Sequence, residues 1–311
     1  MAAPLVSVII ATRNRRTLLP RVLQSVYAQN YPNLEILVLD DASHDGTSDY
    51  IQSKHPDIRL FRFGQNHGQV AARNLMMREA IGDYIISLDD DAFLLTSETI
   101  SRVVSRMEAE PEVAVAAFRV VGREQDAHGG PALGHYSNCF QAGAHCTRTT
   151  AFRQTGGYRE YAFREYEEAE WALRLLDRGC RIFFFPSAVV VHEMSAQGRD
   201  LGLWYTSGPR NRLLGSWVNE PFPWWVLGTG RSITISLIHG MRHGILSHVL
   251  AGFAAAVKEL PRVMSIRRPV SSKTMRLHLA LGKRRITDSA EVKKLYESPP
   301  TLLDILLRKR C

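Results

Sequence analysis

The N-terminal part of the chain alternates short apolar runs with segments that have a helical period. Four runs are typical of buried strands: residues 6–11, 35–39, 58–63 and 84–88. The helical period is clearest after the first run, at Leu18, Leu19, Val22, Leu23 and Val26. Strands that alternate with helices favour a mostly parallel sheet with helices on both faces, because parallel neighbours need a crossover connection. We therefore predict an α/β fold.

Three consecutive aspartates, Asp89, Asp90 and Asp91, directly follow the run at residues 84–88. Adjacent carboxylates repel one another unless a cation or hydrogen-bond donors lie among them. An acidic turn after a strand is the alternative interpretation, since Asp is common in turns. A triplet directly after a core strand favours a metal site.

Polar residues also follow the first two strands, at Thr12, Arg13, Asp40 and Asp41. In open α/β sheets, ligands bind outside the carboxyl ends of the strands, where all of these residues fall. We therefore predict one binding edge that includes the triple aspartate. The chain has neither GxGxxG after the first strand nor GxxxxGK[ST] anywhere, which disfavours an ordinary dinucleotide-binding fold and a P-loop enzyme.

Four glutamates lie within residues 165–170, at the start of a predicted helix that ends near Arg178. Acidic residues in a first turn complement the helix dipole, which is one interpretation. The other is a general base, because close like charges raise the pKa of one carboxyl group. His192 follows a further predicted strand at residues 189–191. It is either an ordinary histidine at the sheet edge or a ligand that fills an open position on a metal.

Residues 121–137 are rich in glycine and polar residues and are predicted to form a long loop that covers a site. We interpret His128 and His135 in this segment as solvent-exposed rather than as ligands. The choice of substrate is expected to depend partly on this loop.

The C-terminal part differs in composition. Residues 204–225 are rich in Trp and Pro, and residues 233–257 are apolar but interrupted by Arg242. The uncharged runs in this region are about 10 and 15 residues long, shorter than the roughly 20 that a spanning helix needs. Residues 258–311 contain 14 Lys and Arg against 5 Asp and Glu, in a chain of net charge +8. We expect a helical region that lies on an anionic membrane surface or packs on the rest of the protein.

Other sequence features bear on partners and compartment. The aromatic residues precede the basic residues instead of alternating with them, so we expect no nucleic-acid partner. The chain begins Met-Ala-Ala-Pro, without the pattern of a secretory signal, and its cysteines, Cys139, Cys146, Cys180 and Cys311, form no CxxC pair. These features favour a reducing cytoplasm.

Together these motifs resemble the family 2 glycosyltransferases of the GT-A fold, over residues 6–218. The resemblance rests on the order and spacing of these motifs: residues 6–14, residues 40–47, Asn66-His67-Gly68, Ala72-Arg73-Asn74, Leu88-Asp89-Asp90-Asp91, Gly156-Gly157-Tyr158, residues 167–171 and His192. It implies a Rossmann-like GT-A sheet, mostly parallel with helices on both faces, to which the composition of the later chain adds the expected C-terminal helical, membrane-associating region.

The resemblance also implies roles for individual residues. The donor would be bound by Ala11, Thr12, Arg13, Asp40, Asp41, Arg73, Asp89 and Asp90, with Asp41 accepting from the base. Asp91 and His192 would hold Mn²⁺ or Mg²⁺ at the donor diphosphate. Glu168 would be the general base, but the family usually has Asp there, so Glu167 or Glu170 is the alternative. Glu167, Glu170 and Trp171 are expected on the acceptor side.

The implied activity is a metal-dependent, inverting transfer of a sugar from a nucleotide-diphosphate donor to a hydroxyl of a glycan or glycolipid. A divalent cation stabilises the diphosphate leaving group, and an unliganded carboxylate removes the acceptor proton. The expected location is the inner face of the cell membrane, as a peripheral protein. We expect a catalytic domain at residues 1–218, with a nucleotide-binding half (1–120) and an acceptor half (121–218), and a basic helical region at residues 219–311.

Two other functions remain open from the sequence. A sugar nucleotidyltransferase would need a glycine-rich phosphate loop after the first strand, where the chain has arginines and no glycine. A catalytically inactive, membrane-bound carbohydrate-binding module would be expected to lack the carboxylates, and all of them are present.

Overall fold

A computed structural model describes residues 3–131, 133–195, 200–302 and 304. Cys311, the last residue of the basic tail, lies outside the described residues, whereas Cys139, Cys146 and Cys180 are free thiols. The N-terminal elements are β1 (Val6–Thr12), α1 (Leu19–Tyr27), β2 (Leu34–Asp41), α2 (Thr47–Lys54), β3 (Arg59–Phe63), α3 (Gln69–Glu79), β4 (Tyr84–Asp89), β5 (Ala92–Leu94), α4 (Thr99–Ala109) and β6 (Val113–Val121).

The second part of the chain adds three strands and eight helices to the described structure. These are β7 (His135–Ser137), β8 (Ala144–Arg148), α5 (Thr149–Thr155), α6 (Glu167–Asp177), β9 (Arg181–His192), α7 (Leu201–Asn219), α8 (Trp224–Arg242), α9 (Leu246–Lys258), α10 (Leu260–Ser265), α11 (Ser272–Leu281) and α12 (Ser289–Glu297).

All nine strands described above form one sheet in the order β3-β2-β1-β4-β8-β6-β9-β5, with β7 paired to β9. Strands β1, β2, β3, β4, β6 and β9 run in one direction, whereas β5, β7 and β8 run in the opposite direction. Most strands are therefore parallel, and the predicted α/β fold is confirmed. The four predicted N-terminal strands are present with small shifts at their ends.

The register of this sheet brings the polar strand ends together. Thr12 pairs with Asp40 and Ala11 pairs with Asp89, so the ends of β1, β2 and β4 are adjacent. The short strand β5 follows the triple aspartate and runs antiparallel to β9, with Ala92 opposite His192. This pairing carries His192 to the edge that holds the aspartates.

Two local predictions differ from the structure. The strand predicted at residues 189–191 is the end of a longer strand, β9, which shifts register against β6 between Phe118 and Arg119. The predicted loop at residues 121–137 contains a 3₁₀ helix, Glu124–Ala127, and ends in β7, whose backbone pairs with β9. Strand β7 has only three residues, too few to give a recognisable pattern among the glycines and polar residues of this segment.

The C-terminal helices pack on the α/β part in two ways. Helix α7 contacts α6, α8, α9 and α10, and a small core there contains Tyr161, Leu214, Val218, Ala256 and Val263. Apolar residues of α11 and α12 join the main core beneath the sheet. The domain boundary at residue 218 stays a prediction, with part of the later chain packed into the same core. No helix within the described ranges is both long and apolar enough to cross a membrane.

Trp171, in α6, is the largest fully buried side chain and lies at the centre of an aromatic cluster. Its ring contacts Phe140, Phe152 and Tyr158, with ring centroids 4.8 to 6.4 Å away. Its indole N–H donates to the Thr155 hydroxyl at 2.7 Å. Trp171 therefore fixes α6 against the sheet.

The Trp171→Ala variant is expected to lose about 3–5 kcal/mol of unfolding free energy, because a buried ring leaves a cavity. Urea unfolding followed by circular dichroism measures this loss. The control is Trp225→Ala, since Trp225 is in a helix but 37% exposed. Equal stability losses for the two variants would contradict a core role for Trp171.

Candidate active site

A cavity of about 360 Å³ opens at the carboxyl edge of the sheet. Its lining includes eight predicted site residues: Ala11, Thr12, Arg13, Asp41, Asp89, Asp90, Asp91 and His192. It also includes residues to which the sequence reasoning assigned no role: Arg15, Asn66, Gly68, Gln69, Phe163, Arg164, Glu165, Met194, Asp200, Leu203 and Trp204. The predicted residues Asp40, Arg73, Glu167, Glu168, Glu170 and Trp171 are not in this lining.

Asp89, Asp91 and His192 form a compact group with one ligand atom from each residue within 4.8 Å of the others. The imidazole Nε2 lies 2.9 Å from Oδ1 of Asp91 and 3.7 Å from Oδ2 of Asp89. Oδ2 of Asp91 accepts the backbone N–H of Ser195 at 2.9 Å. Burial by itself raises the pKa of Asp91, but the hydrogen bond and charge of His192 hold it below its ordinary value.

Two carboxylates and one imidazole are a donor set that suits a divalent cation such as Mn²⁺ or Mg²⁺. Backbone packing shapes this group closely: a Cβ at Gly143 would lie 2.1 Å from the Asp89 carboxylate. The residues present therefore fit a metal. Asp89, predicted only as a donor-binding residue, belongs to the same group.

Asp90 faces the loop after β1 instead. Its carboxylate lies 3.7 Å from Nε of Arg15 and accepts the backbone N–H of Arg13 at 3.3 Å. Burial raises the pKa of Asp90 to about 7, although the Arg15 charge opposes the shift. Asp90 thus links the triple aspartate to the arginine-bearing side of the cavity.

Asp41 lines the cavity at the end of β2. Its two oxygens accept the backbone N–H groups of His67 and Gly68, each at 2.8 Å. Gly68 has a positive φ of 86°, and a Cβ there would lie 2.5 Å from the Phe163 ring, so glycine is required. The neighbouring Asp40 is fully buried and accepts the backbone N–H of Ser43. Asp40 therefore shapes the loop beneath the cavity.

Arg73 lies behind the cavity wall and is only 2% exposed. Its guanidinium forms ion pairs with Asp89 and, at 3.2 Å, with Oε1 of Glu167. Burial by itself lowers the pKa of Arg73, but nearby carboxylates, Asp89 foremost, raise it overall, so the side chain is charged. Arg73 thus connects the candidate metal group to the first turn of α6.

The glutamates of α6 differ in their surroundings. Glu167 is buried and also accepts from the Gln69 side chain at 3.2 Å. Glu168 is half-buried; its carboxylate accepts its own backbone N–H, and within the described part of the chain no ion pair holds it. Burial, followed by the charge of Glu167, raises the pKa of Glu168 to about 8.

Glu170 and Trp171 face away from the cavity. The carboxylate of Glu170 is buried, with Arg174 at 2.7 Å, the Asn219 amide at 2.9 Å and Arg159 at 3.5 Å. Since Trp171 is in the core, both residues support α6 from behind. Neither residue lines the cavity, and their place on the acceptor side stays a prediction.

The turn before α6 is the part of the cavity that sequence reasoning missed. Glu165 and Tyr166 both have positive φ values, 68° and 70°. The buried Asn211 of α7 donates to the carbonyl oxygens of Arg164 and Glu165, at 2.5 and 2.9 Å. Asn211 and Glu165 are 46 residues apart in the sequence, so no local motif predicts their contact. The one sequence feature that marked this part of the cavity was Trp204, the first residue of the aromatic-rich segment.

The Arg73→Met variant is expected to lose about 3–5 kcal/mol of unfolding free energy, because two carboxylates lose their buried partner. Urea unfolding measures this loss of free energy. The matched control is Arg78→Met in the same helix, since Arg78 is 57% exposed and its ion pair with Glu160 is long, at 3.7 Å. That control should change by about 0.5 kcal/mol or less. Equal effects from both substitutions would show that Arg73 does not hold this site together.

Comparison with solved structures supports the fold. TarS of S. aureus in complex with UDP-GlcNAc is 17% identical, with a TM-score of 0.60, and the match covers 94% of this chain and 91% of that one. The mannosyltransferase PcManGT from Pyrobaculum calidifontis, in complex with GDP-Man and Mn²⁺, is 22% identical, with a TM-score of 0.58, and the match covers 83% and 76%. At these identities the likeness establishes the GT-A fold.

Comparison of sequences supports the family. An Escherichia coli protein, UDP-Glc:alpha-D-GlcNAc-diphosphoundecaprenol beta-1,3-glucosyltransferase WfaP, is 38% identical over 108 residues, 34% of this chain and 42% of that protein. In such curated relatives the match spans only about two fifths of their length. The family model described as Glycosyl transferase family 2 matches residues 7–183, more than half of the chain. The chain therefore belongs to glycosyl transferase family 2, as its motifs predicted.

Proposed function

We propose that this protein is a metal-dependent, inverting glycosyltransferase that moves a sugar from a nucleoside-diphosphate donor to a hydroxyl of a glycan or lipid-linked acceptor. The observation that carries the proposal is the group of Asp89, Asp91 and His192 at one end of a polar cavity. Membership of the family supplies the reaction class.

The donor would occupy the side of the cavity formed by the ends of β1 and β2. Arg13 and Arg15 supply positive charge there, and Asn66 and Gln69 supply amide groups. Guanidinium groups bind phosphate oxygens in preference to neutral groups. PcManGT was solved with GDP-Man and Mn²⁺, which supports a nucleotide-sugar donor and a divalent cation for this chain.

Asp89, Asp91 and His192 would hold the cation. When bound, a divalent cation supplies positive charge that stabilises a diphosphate as it leaves. The choice between Mn²⁺ and Mg²⁺ is left to experiment, since carboxylates and an imidazole accept both. Arg73 keeps Asp89 oriented toward this group from behind.

Glu168 is proposed as the general base that removes the proton of the acceptor hydroxyl. A base must accept a proton near the working pH, and the pKa of Glu168 is raised to about 8. Glu167 and Glu170 are held in buried ion pairs, which favours Glu168 among the predicted residues. Glu165 lines the cavity and is the remaining competitor.

Attack by the deprotonated acceptor from the face opposite the leaving diphosphate inverts the anomeric configuration. The base therefore belongs on the α6 side and the diphosphate on the aspartate side of the cavity. The Glu165 turn and the Leu203–Trp204 segment of α7 border the acceptor space between them.

A lipid-linked acceptor is favoured by one relative. The printed name of WfaP describes an acceptor that carries a diphosphoundecaprenol group. By analogy we propose that this chain acts at the inner face of the cell membrane as a peripheral protein. A sugar nucleotidyltransferase is disfavoured, because the loop after β1 holds arginines and no glycine.

Incubation with a panel of nucleotide sugars and Mn²⁺ or Mg²⁺ tests the reaction class through release of nucleoside diphosphate. At least one donor should give turnover that EDTA abolishes and added cation restores. Asp91→Asn should lose this turnover and weaken Mn²⁺ binding measured by calorimetry. Asp57→Asn, at an exposed residue that contacts Tyr27 on the surface, is the control. Turnover that persists unchanged in EDTA would contradict a metal-dependent transferase.

Glu168→Gln should lower kcat by about 10²–10⁴-fold while leaving donor affinity largely intact. In the wild-type enzyme, kcat/KM should rise about tenfold per pH unit below about pH 8 and then level off, because only the ionised carboxylate accepts a proton. Initial rates across pH measure this rise, which the variant should lack.

Two further substitutions separate the candidate bases. Glu165→Gln at the cavity wall should retain the pH-dependent rise if Glu168 is the base, and the exposed Glu79→Gln should match the wild type. If Glu165→Gln loses the pH-dependent rise in kcat/KM and Glu168→Gln keeps it, the general base is Glu165.

A further inference from the structure

Helix α8 exposes an apolar stripe to solvent. Leu227, Ile235, Ile238 and Met241 lie on one side of the helix at helical spacing, and they are 57%, 43%, 42% and 63% exposed. Within this helix the fully buried residues are Ser236 and Gly240. An ordinary surface helix buries its apolar stripe and exposes its polar one. Helix α8 instead leaves its apolar stripe exposed.

The next two helices also carry exposed apolar side chains. Leu250 and Val257 of α9 and Leu260 and Met264 of α10 are also exposed. Neighbouring helices that together expose this many large apolar side chains are typical of a surface that has a partner. We name the exposed side chains of α8, α9 and α10 the helical face.

The charges of the helical face have one sign. Residues 224–258 contain no Asp or Glu, but they contain Arg231, Arg242 and Lys258. Glu259, which follows α9, is paired with Arg210 at 3.5 Å and with Arg262 at 3.6 Å. Long basic side chains can rest on apolar surface while their charges reach lipid headgroups.

We propose that the helical face is the docking surface for an anionic lipid bilayer, with α8 lying in the plane of the interface. A second copy of the chain fits less well. A symmetric dimer through this face would bring Arg242 and Lys258 of two copies together, and residues 224–258 offer them no acidic partner. An anionic bilayer satisfies both the apolar and the basic side chains.

The cavity lies close to the helical face. What this implies for a lipid-linked acceptor rests on the proposed function. The cavity residues Leu203 and Trp204 lie in the first turn of α7, beside the first turn of α9. The rings of Tyr205 and His248 are 5.9 Å apart between centroids, which joins the two turns. Docking by the helical face would therefore bring the acceptor side of the cavity close to the bilayer, where a lipid-linked acceptor resides.

Flotation of the full chain with vesicles tests the docking surface. Binding is expected to phosphatidylcholine vesicles that contain phosphatidylglycerol and to be much weaker without it. The double variant Ile235→Gln/Ile238→Gln should bind at least about tenfold more weakly, because it removes apolar side chains from the lipid. Arg242→Gln, at an exposed residue in the last turn of α8, should weaken binding about fivefold and reduce its salt dependence.

Matched controls use exposed residues far along the chain from this face. Ile81→Gln replaces an isoleucine that is 69% exposed, and Arg153→Gln replaces an exposed arginine of α5. Neither should alter flotation. Thermal unfolding of each variant should match the wild type, since every substituted side chain is exposed.

Two outcomes would overturn the docking surface. One is flotation that the isoleucine and arginine substitutions leave unchanged. The other is a dimer in sedimentation that the double variant dissociates, without any flotation, which would assign the face to a second copy. Failure of the proposed function is read separately, from nucleoside-diphosphate release with a donor in vesicle-free buffer. The double variant should keep that release while losing flotation.

Discussion

The buried guanidinium of Arg73 is the interaction on which the organisation of the site depends. It holds a carboxylate of the triple aspartate and a carboxylate of α6 around one positive charge. Without that charge, Asp89 and Glu167 would repel each other in a poorly solvated region. Because Arg73 pairs with Asp89 and Glu167, Asp91 is left to pair with His192, and Glu168 stays outside these ion pairs.

The sheet register explains how the remaining groups meet. Parallel pairing of β1 with β2 and β4 aligns the strand ends that carry Asp41 and the aspartates. Antiparallel pairing of β5 with β9 then returns the chain to the same edge and delivers His192. The metal group therefore depends on a strand of three residues, which is too short to give a clear sequence pattern.

Prediction from the sequence worked best where chemistry and periodicity coincide in one segment. The triple aspartate after a buried strand led to the cavity edge, and residues 6–14 and 40–41 led to its walls. It could not show that Glu170 and Trp171 are buried, because a helix has two sides and an acidic first turn does not reveal which one packs inward. The turn at Glu165 and its support by Asn211 were missed, since residues far apart in the sequence build them.

The sequence by itself determined the α/β class, the family and the aspartates at the strand end, because each leaves a local pattern of apolar period and charge. Only the tertiary structure decided which glutamates of α6 are held by buried partners, since Arg73 and Asn219 reach Glu167 and Glu170 from other helices. It also decided that the apolar side of α8 faces outward. Helical periodicity predicts a stripe, but packing against neighbours decides whether that stripe meets the core or the surroundings.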